Sequence, residues 1–185
     1  MTGEPAIIVV TGAQGAGKTT VGRLLAARFP RGAFIEADAV QRMIVSGGQW
    51  VTDADSEPGA PDGEAAAQLR LRLRNACLLA RSFYEAGFTA VLDDIIIGER
   101  FHHLRADLAG LPFHLVVLAP EVATVEARDA GRDKTVGGGW ADYLDRELRV
   151  TMSGLGLWLD TSQHTPEQTV DEIVLRVWDE GLVES

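Results

Sequence analysis

Residues 6–19 read Ala-Ile-Ile-Val-Val-Thr-Gly-Ala-Gln-Gly-Ala-Gly-Lys-Thr. The first six are apolar or β-branched, which is typical of a strand buried on both faces of a parallel sheet. The other eight match the pattern G-x-x-x-x-G-K-S/T between a strand and a helical pattern, the context that a phosphate-binding loop requires. A chance glycine-rich turn would not meet all these conditions. The eight residues are Gly12, Ala13, Gln14, Gly15, Ala16, Gly17, Lys18 and Thr19.

The residue types of this loop suit a polyphosphate. Its three glycines allow backbone angles and close approaches that side chains would block. The loop amides and the start of the following helix then face the β- and γ-phosphates. Lys18 places a cation near the transferred phosphoryl group, and Thr19 offers a hydroxyl to Mg²⁺. We therefore predict a nucleotide site from Gly12 to Thr20, with ATP and Mg²⁺ as the cofactors.

The composition is that of a globular protein with an acidic surface. The 185 residues are 46% hydrophobic and 24% charged, so we expect one domain over residues 1–185. The formal net charge of −10 argues against nucleic acids and anionic membranes as partners, because phosphate-rich surfaces reward Lys and Arg. The single Cys77 excludes an internal disulfide. No apolar run approaches about 20 residues, so we expect a cytoplasmic location.

Strand and helix patterns alternate along the chain. Such alternation indicates an α/β fold whose parallel sheet is covered by helices on both faces. Five strands are predicted, at 6–11, 33–37, 88–92, 113–118 and 156–160. One long helix is predicted from Glu64 to Glu85, because apolar residues recur there at helical spacing. That stripe consists of Leu69, Leu73, Ala76, Ala80 and Phe83.

Carboxylates follow two of the predicted strands. Asp38 comes at the end of the second strand, where it would face the same crevice as the phosphate loop and could accept a proton from an acceptor hydroxyl. It could instead cap the following helix, and Glu36 is then the reserve candidate for the base. Asp93 and Asp94 end the third strand and resemble a Walker-B acid, which supports Mg²⁺. The sequence does not choose between these two, and one of them could be a solvated loop residue.

Cations cluster after the fourth strand. Arg128, Arg132 and Lys134 lie at a predicted helix end and in a glycine-rich segment, where they could close over the phosphates and stabilise charge on the transferring group. We predict a lid at about 128–140. The alternative is a solvated basic helix end that complements the helix dipole.

Two further segments bear on the acceptor. The long loop at 47–63 is rich in Gly, Pro, Asp and Ser, and long loops in compact domains are often functional, so part of the acceptor site is expected there. Arg70, Arg74 and Arg81 share one face of the long helix, where a surface role is favoured over substrate binding. The turn from Asp160 to Ser162 could contact adenine, although an ordinary strand-end turn looks the same.

Taken together, these residues resemble the small P-loop kinases. The resemblance rests on the phosphate loop, on Asp38, on the Asp93–Asp94 pair, on Arg128-x-x-x-Arg132 and on residues 158–161. It is nearest to the chloramphenicol phosphotransferase-like group, with shikimate and gluconate kinases and polynucleotide kinase domains more distant. It implies ATP-dependent phosphorylation of a hydroxyl group and a sheet ordered 2-3-1-4-5.

The same resemblance implies residue roles. It makes Asp38 the general base, Lys18 and Thr19 the ligands of phosphate and Mg²⁺, and Arg128 and Arg132 the lid cations. Two features argue against chloramphenicol itself as the acceptor. Residues 14–19 differ from the phosphate loop of the chloramphenicol phosphotransferase. The loop at 47–63 and the arginine-rich helix, where an acceptor is expected, have no recognisable match in that group.

Two other functions stay open. The chain could be an ATP-binding switch or ATPase module that acts through a protein partner, or an enzyme like polynucleotide kinase, although its acidic charge disfavours the latter. A GTPase would normally carry Asn-Lys-x-Asp after the fourth strand, where this chain has Ala-Pro-Glu-Val at 119–122. We expect a small molecule with a hydroxyl group as the acceptor. Its identity and the oligomeric state do not follow from the sequence.

Overall fold

The computed structural model describes residues 4–51, 63–129 and 138–183, with the side chains at 126–129 and 138–141 left out. Five parallel strands form a sheet in the order β2-β3-β1-β4-β5, which confirms the predicted fold and strand order. These strands are β1 (Ile7–Gly12), β2 (Gly32–Glu36), β3 (Thr89–Asp93), β4 (Phe113–Leu118) and β5 (Leu157–Leu159).

A sixth strand corrects the predicted count of five. β6 (Leu182–Val183) pairs antiparallel with Phe113 and His114 of β4, while β5 pairs with Val116 to Leu118 of the same strand. β6 therefore continues the sheet edge where β5 stops. Two residues are too short to show the alternation that identifies a strand in a sequence.

Seven helices are described. They are α1 (Lys18–Ala26), α2 (Ala37–Gln41), α3 (Gly63–Glu85), α4 (Glu99–Asp107), α5 (Val122–Asp129), α6 (Gly138–Thr151) and α7 (Pro166–Glu180). α7 begins with a capping box in which the Thr165 hydroxyl accepts from the amide of Gln168, at 3.2 Å, and the Gln168 side chain accepts from the amide of Thr165, at 2.8 Å. None of the described helices has the length and apolarity needed to cross a bilayer.

The central strand divides the core into two layers. Ile7 and Val9 pack with α3 and α4 on one face of the sheet, while Ile8 and Val10 pack with α1 and α7 on the other. All four side chains are fully buried. A continuously apolar strand is required here because helices cover both faces. Because β1, β2 and β3 pair in parallel, their carboxyl ends meet at one edge, where the phosphate loop and the candidate carboxylates lie.

The long helix α3 matches the predicted range, but its buried face is shifted. Leu73, Ala76 and Ala80 are fully buried, whereas Phe83, expected in the same stripe, is 37% exposed and packs edge-on against Phe88. Arg72 is buried on this face instead. Cys77 is also buried, and burial raises the pKa of its thiol to about 12, so it stays protonated at neutral pH.

We expect the fold to lose stability as the solution becomes acidic, through His114. Its Nδ1 donates to the carbonyl of Val177 at 3.0 Å, and its ring meets Trp178 edge-on. Burial lowers the pKa of His114 below its ordinary value of 6.5, and the Val177 bond opposes this only in part. The unfolded chain therefore binds this proton more readily, so stability falls as the pH drops below about 6.5.

Urea unfolding at about pH 7.5 and about pH 5.5 measures this loss. The difference between the two pH values should shrink in His114→Gln, because glutamine does not titrate. An equal difference in wild type and variant would show that other groups cause the acid sensitivity.

Candidate active site

The phosphate loop joins β1 to α1 and depends on glycine at two positions. Gly15 and Gly17 have φ of 81° and 92°, in the left-handed region that disfavours residues with side chains. A Cβ atom at Gly15 would also lie 2.7 Å from Cγ1 of Val125. Helix α1 begins at Lys18 with no acidic residue in its first turn. The first amides of α1 therefore point into the loop, and no acidic side chain of this turn offsets the positive end of the helix dipole. This arrangement suits a phosphate group.

Lys18 lies folded across this loop. Its Nζ donates to the carbonyl of Ala13 at 2.9 Å. Burial lowers the pKa of the Lys18 amine, and the nearby carboxylates of Asp93, Asp94 and Asp38 oppose that shift. The lysine charge is thus balanced by carboxylates on one side and directed to the loop on the other.

Thr19 and Asp93 form the candidate metal site. The Thr19 hydroxyl donates to Oδ2 of Asp93 at 2.7 Å, which joins the start of α1 to the end of β3. Asp93 is 4% exposed, and burial raises its pKa to about 6, although the Thr19 hydrogen bond and Lys18 lower it in part. A hydroxyl and a carboxylate are the hard oxygen donors that Mg²⁺ takes together with water and phosphate oxygens. These two residues therefore fit Mg²⁺.

Asp94 lies in a different environment from its neighbour. Its Oδ1 accepts from Nη2 of Arg72 at 2.5 Å and from the amide of Ile95 at 2.8 Å, and its Oδ2 accepts from Nη2 of Arg100 at 2.5 Å. The carboxylate is 2% exposed. Both oxygens of Asp94 are thus held by guanidinium groups. The structure brings Asp93, and not Asp94, to Thr19.

Asp38 is connected to this cluster through Arg72. Oδ1 of Asp38 accepts from Nη1 of Arg72 at 3.0 Å, and its side chain is 49% exposed. It lies in the first turn of α2, whose N-cap residue is Glu36 and makes no side-chain capping bond. The carboxylate of Glu36 instead pairs with Arg42 at 3.3 Å and with Arg23 at 3.7 Å. Asp38 is therefore accessible to a solute and held in place by one guanidinium.

Arg72 and Arg100 were missed by the sequence analysis. The signal for Arg72 was its place four residues before Ala76, on the stripe that helical spacing predicts to be buried. A buried arginine requires an anionic partner, and Asp94 supplies it. Nothing in the spacing of Arg100 distinguished it from a surface arginine of α4.

The other arginines of α3 lie away from Asp38. Arg70 forms a two-point ion pair with Asp107 of α4, at 2.5 and 2.8 Å, and Arg81 donates to carbonyls of Asp107 and Ala109. This agrees with the surface role favoured for this face. Arg74 is exposed.

The predicted lid lies mostly outside the described residues, which include neither Arg132 and Lys134 nor the side chain of Arg128. The same holds for most of the predicted acceptor loop, since 52–62 are not described. The turn after β5 is internally bonded, because Oδ1 of Asp160 accepts from the amide and hydroxyl of Ser162 at 2.9 and 2.5 Å.

The sequence of this chain is similar to those of known kinases. A profile of the family described as AAA domain matches residues 7–147. Shikimate kinase of Thermobifida fusca is 34% identical over 180 residues, which are 94% of this chain and 95% of that protein. Shikimate kinase of Chromohalobacter salexigens is 39% identical over 80 residues, and there the alignment spans 43% of this chain and 44% of that protein.

A solved structure shows the same fold. Shikimate kinase from Acinetobacter baumannii, in complex with shikimate, superposes with a TM-score of 0.63 at 19% identity, over 94% of this chain and 93% of that one. The profile match and the relative from Thermobifida fusca confirm the resemblance to small P-loop kinases drawn from the sequence, and the solved structure confirms the fold.

Proposed function

This chain belongs to the small P-loop kinases, and on that premise we propose that it transfers the γ-phosphate of Mg·ATP to a hydroxyl group of a small molecule, with Asp38 as the general base. The observation that carries the proposal is the edge of the sheet where three parts of a kinase site meet. A phosphate loop, a threonine–aspartate pair suited to Mg²⁺ and a half-exposed carboxylate lie within one connected set of hydrogen bonds and charges. An enzyme that phosphorylates a hydroxyl needs these same groups.

The residues of the loop bind and orient the triphosphate. Amides at the start of α1 donate to its phosphate oxygens, and the Lys18 ammonium stabilises the charge that develops on the γ-phosphoryl group. Thr19 and Asp93 would hold Mg²⁺, which neutralises charge on the β- and γ-oxygens when bound. Arg128 and Arg132 would complete the site as lid cations, as the sequence predicts.

Asp38 acts on the acceptor. As the acceptor oxygen attacks the γ-phosphorus, its proton passes to the Asp38 carboxylate, and the bond from γ-phosphorus to the bridging oxygen of ADP breaks. The hydrogen bond from Arg72 fixes the carboxylate, while its exposed half lets the acceptor approach. Arg72 is thus a positioning residue for the base.

We expect Asp38→Asn to lower turnover by about 10²- to 10⁴-fold, because the amide keeps the shape and the bond to Arg72 but cannot take the proton. The affinity for Mg·ATP, measured by calorimetry, should stay unchanged. Glu36→Gln is the matched control, since Glu36 is the neighbouring acid and pairs with surface arginines. Near-normal turnover in Asp38→Asn would contradict the role of Asp38 as base.

ATP turnover across a panel of hydroxyl compounds tests the function as a whole. Shikimate belongs in this panel because a relative covering nearly the whole chain is named shikimate kinase. Stimulation by one compound, with a phosphorylated product seen by mass spectrometry, supports the kinase. Stimulation only by a protein partner supports the ATPase switch, and phosphorylation of an oligonucleotide 5′-hydroxyl supports the polynucleotide kinase alternative.

A further inference from the structure

A groove of about 420 Å³ lies between α2 and α3, on the side of the fold that carries Asp38. Its volume is within the range of small-molecule sites. Apolar side chains form most of its wall, namely Val40, Met43, Ile44, Leu71, Leu78 and Leu79. Several of them are open to solvent, with Met43 68% and Leu78 54% exposed. Gln41, Arg72 and Asn75 are the polar residues of the described lining, which contains no acid and no lysine.

The groove reaches the candidate base through one residue. Arg72 forms part of its wall and donates to Asp38 at 3.0 Å. Asp38 and Gln41 are also three residues apart, which places them on the same side of α2. A molecule seated in the groove can therefore contact Arg72, the residue that holds the Asp38 carboxylate.

The cations near this end are already bound to carboxylates. Arg72 donates from Nη1 to Asp38 and from Nη2 to Asp94, and Arg100 donates to the second oxygen of Asp94. If either guanidinium turned to an acidic acceptor, the Asp94 carboxylate would lose an ion-pair partner while only 2% of its side chain is exposed to water. Among the described residues of the groove, none offers a free cation to a substrate carboxylate.

Two buried polar atoms lie in the wall without a hydrogen-bond partner among the described residues. They are Nε of Arg72, a donor, and Oε1 of Gln41, an acceptor. Both side chains are more than nine-tenths buried. Both atoms are enclosed by protein, and the bonds of Arg72 to Asp38 and Asp94 hold its guanidinium in place, so the groove offers a bound molecule an apolar wall with no free polar group from these two side chains.

From these observations we infer that the acceptor is a neutral alcohol with an apolar body, which packs between α2 and α3 and presents its hydroxyl at Asp38. This inference rests on the proposed function and names its substrate class. The body is alkyl, alicyclic or aromatic. Polyhydroxy acids such as shikimate and gluconate, in contrast, match neither the apolar wall nor the occupied guanidinium groups.

Methionine methyl NMR tests binding in the groove directly. The chain has three methionines, of which Met43 lies in the groove and Met152 is fully buried in the core as an internal reference. Protein labelled at the methionine methyls, with Mg²⁺ and a non-hydrolysable ATP analogue, is titrated with 2-phenylethanol, cyclohexylmethanol, shikimate and gluconate. We expect saturable shifts of the Met43 methyl with the two apolar alcohols, and none with the acids.

Two surface substitutions calibrate the result. Leu78→Ser should weaken alcohol binding by about tenfold, because a lost apolar contact in a pocket has an effect of this size. Leu175→Ser is the matched control, since Leu175 is 76% exposed on α7. Both leucines are exposed enough for folding to survive. Turnover of a bound alcohol should show the Leu78→Ser effect in KM, with kcat nearly unchanged.

The outcomes separate the two proposals. If the protein phosphorylates shikimate and Leu78→Ser does not change that rate, the inference of an apolar acceptor is contradicted and the kinase function is supported. Alcohol binding at Met43 without any phosphorylated product would overturn the groove as the acceptor site, while the panel of hydroxyl compounds decides the kinase function separately. No Met43 shift with either alcohol overturns the inference. A Met43 shift that depends on protein concentration alone, with a dimer in sedimentation, would assign the groove to a second copy and overturn it too.

Discussion

We expect Lys18→Ala to lower ATP-dependent turnover by about 10³-fold or more, and to weaken the binding of Mg·ATP. Removing a single donor to a developing oxyanion already lowers turnover by about 10²- to 10³-fold, and Lys18 is a full charge in a buried loop. Its amine lies between the Ala13 carbonyl and three carboxylates. Without it, the negative charge of those carboxylates would be less well balanced where the triphosphate binds.

Calorimetry with Mg·ATP and coupled detection of ADP measure the two effects. Arg28→Ala is the matched control, since it removes a positive charge close to the end of α1, from an exposed pair with Asp171. That variant should bind and turn over ATP as the wild type does. If Lys18→Ala kept normal affinity and turnover, the phosphate loop would not be the nucleotide site, and the proposed kinase function would be wrong.

Asp94→Ala should destabilise the fold by about 3–5 kcal/mol, because it leaves two buried guanidinium groups without their shared carboxylate. Arg72 is 9% and Arg100 15% exposed, and burial lowers the pKa of Arg100 while Asp94 opposes that shift. Water cannot fully solvate these charges once Asp94 is gone. Asp94 is expected to be more important for stability than any surface acid of the chain.

Urea unfolding at about 25 °C measures this loss, with Asp171→Ala as the control. Asp171 pairs with Arg28 at 2.6 Å, but both side chains are about half exposed, so its removal should change stability by less than about 1 kcal/mol. Equal stability losses in the two variants would mean that the Asp94 cluster is solvated in solution. In that case Asp94 would be free to serve a metal.

Local patterns were sufficient to predict the centre of the fold. The eight-residue loop could be identified because its pattern combines spacing with context, and the apolar run before it required a sheet covered on both faces. The strand order came from the resemblance to small P-loop kinases. Asp38 and Asp93 could be placed at the correct edge, since the carboxyl ends of parallel strands share it.

The partners of the carboxylates could not be predicted from the sequence. Asp93 and Asp94 are adjacent in the chain, yet successive residues at a strand end point to opposite sides, so one meets Thr19 and the other meets Arg72. Choosing between them requires the packing of α3 over the sheet. The groove was equally hidden, because it depends on how α2, only five residues long, lies against α3.

Helix α3 carries the groove leucines and Arg72 on one continuous rod of 23 residues, about 35 Å in length. A helix moves as a unit, so a molecule that holds the N-terminal half of α3 against α2 would also hold the guanidinium that positions Asp38. Occupancy and the readiness of the base are then mechanically joined. Such a linkage would limit the hydrolysis of ATP by water until an acceptor is bound.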